Sequence, residues 1–101
     1  MERITSQEVQ RRIENKESFL LKLSASWCGP CKVLTEEIKK INTSVPIYEY
    51  DVETDSNFSR ELGVRSVPVL KFFKEGNNSF TSVGLKQGHE INSMINQHIV
   101  L

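Results

Sequence analysis

An apolar run from Phe19 to Ala25 stops at Trp27-Cys28-Gly29-Pro30-Cys31-Lys32, and a helix-patterned segment, Val33 to Ile41, takes over directly. The switch in apolar pattern implies a strand running into a helix. The two cysteines, the only ones in the chain, therefore stand where the strand ends and the helix begins. Unpaired backbone N–H groups and the positive end of the helix dipole favour a thiolate on Cys28 there. Cys31 lies nearly one turn further in, within reach of a mixed disulfide on Cys28. Pro30 lacks the N–H that a first helical turn cannot use, so it stiffens the bend at little cost. Gly29 leaves room for a partner to approach. The chemistry suited to this arrangement is thiol–disulfide exchange.

The Cys-x-x-Cys spacing also occurs in zinc ribbons and haem attachment sites. A zinc site needs two more ligands, and His89 and His98, the only histidines, stand nine apart in one helical pattern, too far for the usual pair spacing. Lys32 rather than histidine follows Cys31, against the haem motif. No metal or other cofactor is therefore expected. Thirteen basic and thirteen acidic residues give no net charge and leave no nucleic-acid or membrane footprint. The first eighteen residues carry charges throughout with no apolar h-region, unlike a secretory signal, and no apolar run is long enough to span a bilayer. Two cysteines in one reactive motif, with none left for a structural bridge, fit a reducing cytoplasm.

Trp-Cys-Gly-Pro-Cys-Lys is the active-site signature of the thioredoxins, and the whole chain, 1–101, resembles a single thioredoxin domain. Thioredoxins carry an acidic Cys-x-x-Cys thiol, and the resemblance implies the same for Cys28. The chain opens with a short edge strand at Glu2–Ile4 and a capping box, Thr5-Ser6-Gln7-Glu8, starting a helix to about Asn15. Strands follow at Phe19–Ser24 and Val45–Val52, and Asp55 caps a helix from Ser56 to Leu62 that Gly63 ends. Val67–Phe73 and Phe80–Val83 form a hairpin around Glu75-Gly76-Asn77-Asn78. A last helix spans about Gln87 to Ile99, with Ile91, Met94, Ile95, His98 and Ile99 as its apolar stripe. The order β-α-β-α-β-α-β-β-α is that of the α/β thioredoxin fold: a central mixed sheet of four to five strands with helices on both faces. The resemblance makes Phe19–Ser24 central, parallel to Val45–Val52 and antiparallel to Val67–Phe73.

It also implies a cis peptide at Val67-Pro68 lying against the cysteines, with the Val67 backbone offered to an extended substrate as in strand addition. The implied groove comprises Trp27, Gly29, Pro30, Val52, Val67, Pro68, Val83, Gly84 and Leu85, an apolar patch around one reactive sulfur. Some positions depart from the family pattern. Ser24 replaces a common second tryptophan, Ser66 a glycine, and Glu36 the proline that usually kinks the helix after the cysteines. Lys22, six before Cys28, stands where thioredoxins usually bury an aspartate, and Glu49 where they place the facing lysine. Because a lysine within Phe-Leu-Leu-Lys-Leu is hard to expose, an exchanged ion pair is expected. Either Glu49 or Lys22 in its neutral form then relays the Cys31 proton.

The resemblance implies a monomeric, cytoplasmic protein-disulfide reductase that acts on disulfide-containing proteins through Cys28 and Cys31. A thioredoxin reductase or equivalent donor renews the dithiol. A competing class is a thioredoxin-fold binding or processivity subunit that works by shape without thiol chemistry; oxidase or isomerase roles follow behind.

Overall fold

A computed structural model describes all 101 residues. The elements are β1 (Glu2–Arg3), α1 (Ser6–Glu14), β2 (Phe19–Ser24), α2 (Gly29–Lys39), β3 (Ile47–Asp51), α3 (Ser56–Glu61), β4 (Val69–Lys74), β5 (Asn77–Val83) and α4 (Gly88–Ile95). A π-helical turn, Asn96–Val100, continues α4. One five-stranded sheet runs β1-β3-β2-β4-β5. β2 lies at its centre, parallel to β3 and antiparallel to β4.

All six residues of β2 are buried, because both faces of this strand are covered. Phe19, Leu21 and Leu23 point to one side, where they pack with Val9 of α1, Phe58 of α3, Tyr50 and Phe73. Leu20 points to the other, where Leu34 and Ile38 of α2 meet Ile91 and Ile95 of α4. Each such large side chain contributes about 1.5–3 kcal/mol of transfer free energy. The alternation also sends Lys22 and Ser24 to the α2 side.

The helix starts follow the sequence closely. Thr5 and Glu8 close a reciprocal capping box on α1. Asp55 caps α3 by accepting from the Phe58 N–H at 3.1 Å, and also accepts the Ser6 hydroxyl at 2.8 Å. Several boundaries move. α2 begins at Gly29, four residues before the periodic segment, since Cys28 is its N-cap and Pro30 occupies its first turn. β3 is shorter than Val45–Val52. β4 begins at Val69, beyond the proline, which has no N–H for the ladder. The last helix keeps its α pattern only from Gly88 to Ile95, short of Ile99. In the π turn beyond it the His98 carbonyl accepts the Ser79 hydroxyl at 2.8 Å, and the His98 ring stacks on Phe80 at 3.9 Å.

Gly76, at the tip of the β4–β5 hairpin, is held against the end of α1. Its N–H donates to the Glu17 carbonyl at 2.9 Å. Its φ is +82°, and a Cβ there would lie 2.5 Å from the Ile13 carbonyl oxygen, so both conformation and space require glycine.

Candidate active site

The C-terminal end of β2 delivers the chain to Cys28, and the helix that follows is capped by the cysteine itself. Cys28 Sγ accepts the N–H of Cys31 at 3.1 Å, one of the N–H groups a first helical turn leaves without a carbonyl. The pair is joined as a disulfide, with the two Cα atoms 5.3 Å apart. Both sulfurs are shielded in this state: Cys28 is 3 % exposed and Cys31 2 %. Neither sulfur is open to solvent in the disulfide, where the Cys28 side chain turns inward to its partner. Ala25, Val52 and Val67 pack around the two cysteines.

The remaining groove residues come from four separate segments. Trp27 is 69 % exposed, and its indole Nε1 donates to Glu53 Oε2 at 3.1 Å. Gly29 and Pro30 are exposed on the first turn of α2. Val52 is tied to the end of β2 by its N–H to the Ser24 carbonyl, 3.0 Å. The Val67–Pro68 peptide is cis. Pro68 is buried and forms floor rather than surface; its carbonyl accepts the Gly84 N–H at 2.9 Å. Neither the N–H nor the C=O of Val67 is engaged by another backbone group. Val83 and Leu85 are exposed beside Gly84, whose φ of +91° explains the glycine, and whose missing Cβ would face open space.

Beneath the disulfide, Lys22 stands opposite Glu49 in the β2–β3 register. Lys22 is 1 % exposed, so it does not reach solvent along its stem. Its Nζ donates to Glu49 Oε2 at 2.8 Å and to Thr35 Oγ1 at 2.5 Å. The other oxygen of Glu49 accepts from Arg3 at 3.1 Å. Burial alone pushes the Glu49 carboxyl up, but Lys22 and then Arg3 outweigh it and hold the group below its ordinary value. Sequence reasoning had placed Lys22 and Glu49 but missed Thr35, Arg3 and Glu53. Thr35 had a signal available: it lies four residues after Cys31, on the same helix face. Arg3 had none, since it meets Glu49 only through the β1–β3 register, and neither had Glu53, which meets Trp27 from the turn after β3.

The family model described as Thioredoxin matches residues 1–97. The chain belongs to the thioredoxin family. A thioredoxin of Rickettsia felis is 34 % identical over 91 residues, covering 86 % of this chain and 87 % of that one. An Aspergillus fumigatus thioredoxin is 35 % identical over 91 residues, 83 % of each. The crystal structure of Malassezia sympodialis thioredoxin superposes with a TM-score of 0.83 at 29 % identity, over 97 % of this chain and 90 % of that one. A thioredoxin from Halobacterium salinarum gives the same score at 24 % identity, which speaks to the fold alone. With its cysteine pair joined at the head of α2, this thioredoxin-family chain is a thiol–disulfide oxidoreductase. No helix is long and apolar enough to cross a membrane.

Proposed function

We propose that this chain reduces disulfides in other proteins, with Cys28 as the attacking thiolate and Cys31 as the resolving thiol. The observation that carries the assignment is the N-cap bond from Cys31 N–H to Cys28 Sγ, since that donor stabilises negative charge on Cys28 and not on Cys31. In the reduced form, the Cys28 thiolate attacks one sulfur of the substrate disulfide and expels the other as a thiolate. Cys31 then loses its proton and attacks Cys28 Sγ, breaking the mixed disulfide and releasing the second substrate sulfur. The substrate gains two electrons and two protons, and the Cys28–Cys31 disulfide is left behind.

Recognition falls to the groove. The free N–H and C=O of Val67 suit pairing with an extended segment beside the substrate cysteine. Trp27, Pro30, Val83 and Leu85 offer apolar contact with few charges, which suits varied partners. The Lys22–Glu49 pair faces the crevice below Cys31 and accompanies its deprotonation. A separate donor, most simply a flavoprotein thioredoxin reductase, renews the dithiol. The chain works as a monomer in a reducing cytoplasm, in keeping with cysteine usage confined to the motif.

Insulin reduction driven by dithiothreitol tests the reading. Wild type should precipitate insulin B chain rapidly, Cys28→Ser should not, and Cys31→Ser should accumulate a mixed disulfide through Cys28. Trapping through Cys31 in the Cys28→Ser variant instead would reverse the roles.

A further inference from the structure

One hydroxyl links the buried cation to the redox-active helix. The Thr35 hydroxyl donates to the Cys31 carbonyl at 3.2 Å, and a hydroxyl has one proton to give. Its oxygen therefore accepts from Lys22 Nζ, 2.5 Å away. The ammonium is thus anchored, through a single side chain, to the backbone of the resolving cysteine. Glu49 is the other partner of that ammonium, and its second oxygen accepts from Arg3. Lys22, Thr35, Glu49 and Cys31 line one crevice of about 330 Å³, whose other charged groups are Arg3 and Lys32. Arg3 has 61 % of its side chain exposed and Lys32 is exposed too, so water screens both. Lys22 is the one cation there that solvent does not screen.

We propose that Thr35 is a positioning residue for the thiol–disulfide reaction: its hydroxyl holds the Lys22 ammonium against the first turns of α2, where that charge favours the thiolate forms of the dithiol. The inference rests on Cys28 and Cys31 being the redox pair. Reduction of the Cys28–Cys31 bond takes up two electrons and leaves two sulfurs as thiols or thiolates. A fixed cation near those sulfurs stabilises the thiolates and with them the reduced state, which makes the couple more oxidising. Glu49 acts in the opposite sense, but it is the ammonium that the bond chain places one hydroxyl away from Cys31, and Arg3 shares the charge of Glu49. Without the hydroxyl, the remaining partner of Lys22 is Glu49 on β3, and the ammonium retreats toward it.

The test uses Thr35→Val, Thr35→Ala and Thr35→Ser in the full chain, with two readouts. One is the equilibrium constant for exchange with dithiothreitol; the other is the pH profile of iodoacetamide reaction with the reduced protein. Thr35→Val should shift the equilibrium about two- to tenfold toward the Cys28–Cys31 disulfide, tenfold being about 30 mV, and move the alkylation profile to higher pH. Thr35→Ala should do the same, with a residue that suits a helix interior should valine fail to fold. Thr35→Ser, which restores the hydroxyl, should keep both readouts at wild-type values. Removal of the hydroxyl that alters only the urea midpoint, or that shifts the equilibrium toward the dithiol, overturns the proposal. A wild-type chain that does not exchange with dithiothreitol at all would instead sink the redox reading beneath it.

Discussion

Glu49→Gln and Lys22→Met break the same ion pair but should not cost the same. Glu49→Gln leaves the Lys22 ammonium at 1 % exposure with Thr35 as its charge-free acceptor. Stranding a buried charge in this way costs about 3–5 kcal/mol. Lys22→Met leaves the Glu49 carboxylate with 16 % of its side chain exposed and with Arg3 still 3.1 Å away, while methionine keeps most of the packing of the lysine stem. The loss is then nearer that of one hydrogen bond to a charged group, about 1.5–3 kcal/mol. The double variant removes both charges, so the two costs should not add; a coupling of about 0.5–3 kcal/mol is expected for groups in direct contact. Urea unfolding of the four oxidised proteins at pH 7 measures all three quantities. In a domain of this size each kcal/mol also moves the melting temperature by about 4–8 °C.

The same pair sets a pH dependence. The Glu49 carboxyl is held below its ordinary value of 4.5 in the folded chain. The unfolded chain therefore takes up its proton first as pH falls. The contribution is complete above the unfolded value and is lost as pH drops through the depressed folded one. Glu49→Gln should flatten that acid limb. Equal single costs would refute the argument from unequal burial, and costs that add within about 0.5 kcal/mol would show that the 2.8 Å contact carries no energetic coupling.

Other consequences follow from the site and the hairpin. Trp27, the only tryptophan, adjoins the disulfide, so its emission should change on reduction, and Glu53→Leu, which removes the acceptor of its Nε1, should alter the spectrum of the oxidised form; identical spectra in both redox states would contradict this. In the reduced protein at neutral pH, limited alkylation with peptide mapping should label Cys28 before Cys31, because only Cys28 has a helix-end N–H directed at its sulfur. Gly76→Ala should destabilise by at least about 2 kcal/mol in urea, a positive φ adding to a backbone collision with α1, and a neutral result would mean that the hairpin tip is free to move off the helix.

What could be read in the sequence was local or tied to the family pattern. Thr5 with Glu8, and Asp55 before a short helix, announce helix starts because capping depends on residues within one turn of each other. Cys28 as the hinge between strand and helix was legible for the same reason. Phe19–Ser24 was legible as a buried strand from its apolar run, broken only by Lys22, while its place at the sheet's centre came from the family pattern. The pairing of Lys22 with Glu49 needed the register of two strands, which alternation and the family pattern together supply. Thr35 as the second partner of Lys22 was not read, since it requires knowing how α2 rotates over β2. The π turn after Ile95 was hidden too. The apolar stripe through His98 and Ile99 continues across it, while the slip is settled by distant groups: the Ser79 hydroxyl on the His98 carbonyl, and Lys74 on that of Leu101.

The groove has a consequence for the order of events in a growing or unfolded chain. Its walls come from residues near 27–30, 52, 67–68 and 83–85, brought together only once β2, β3, β4 and β5 have paired. The cysteines stand three apart, and closing so small a ring needs no tertiary structure. Sulfur chemistry is therefore available to the chain as soon as position 31 has been made, whereas discrimination among partners waits for position 85. Between those two moments, and in every later unfolding excursion, the molecule is a dithiol without a recognition surface.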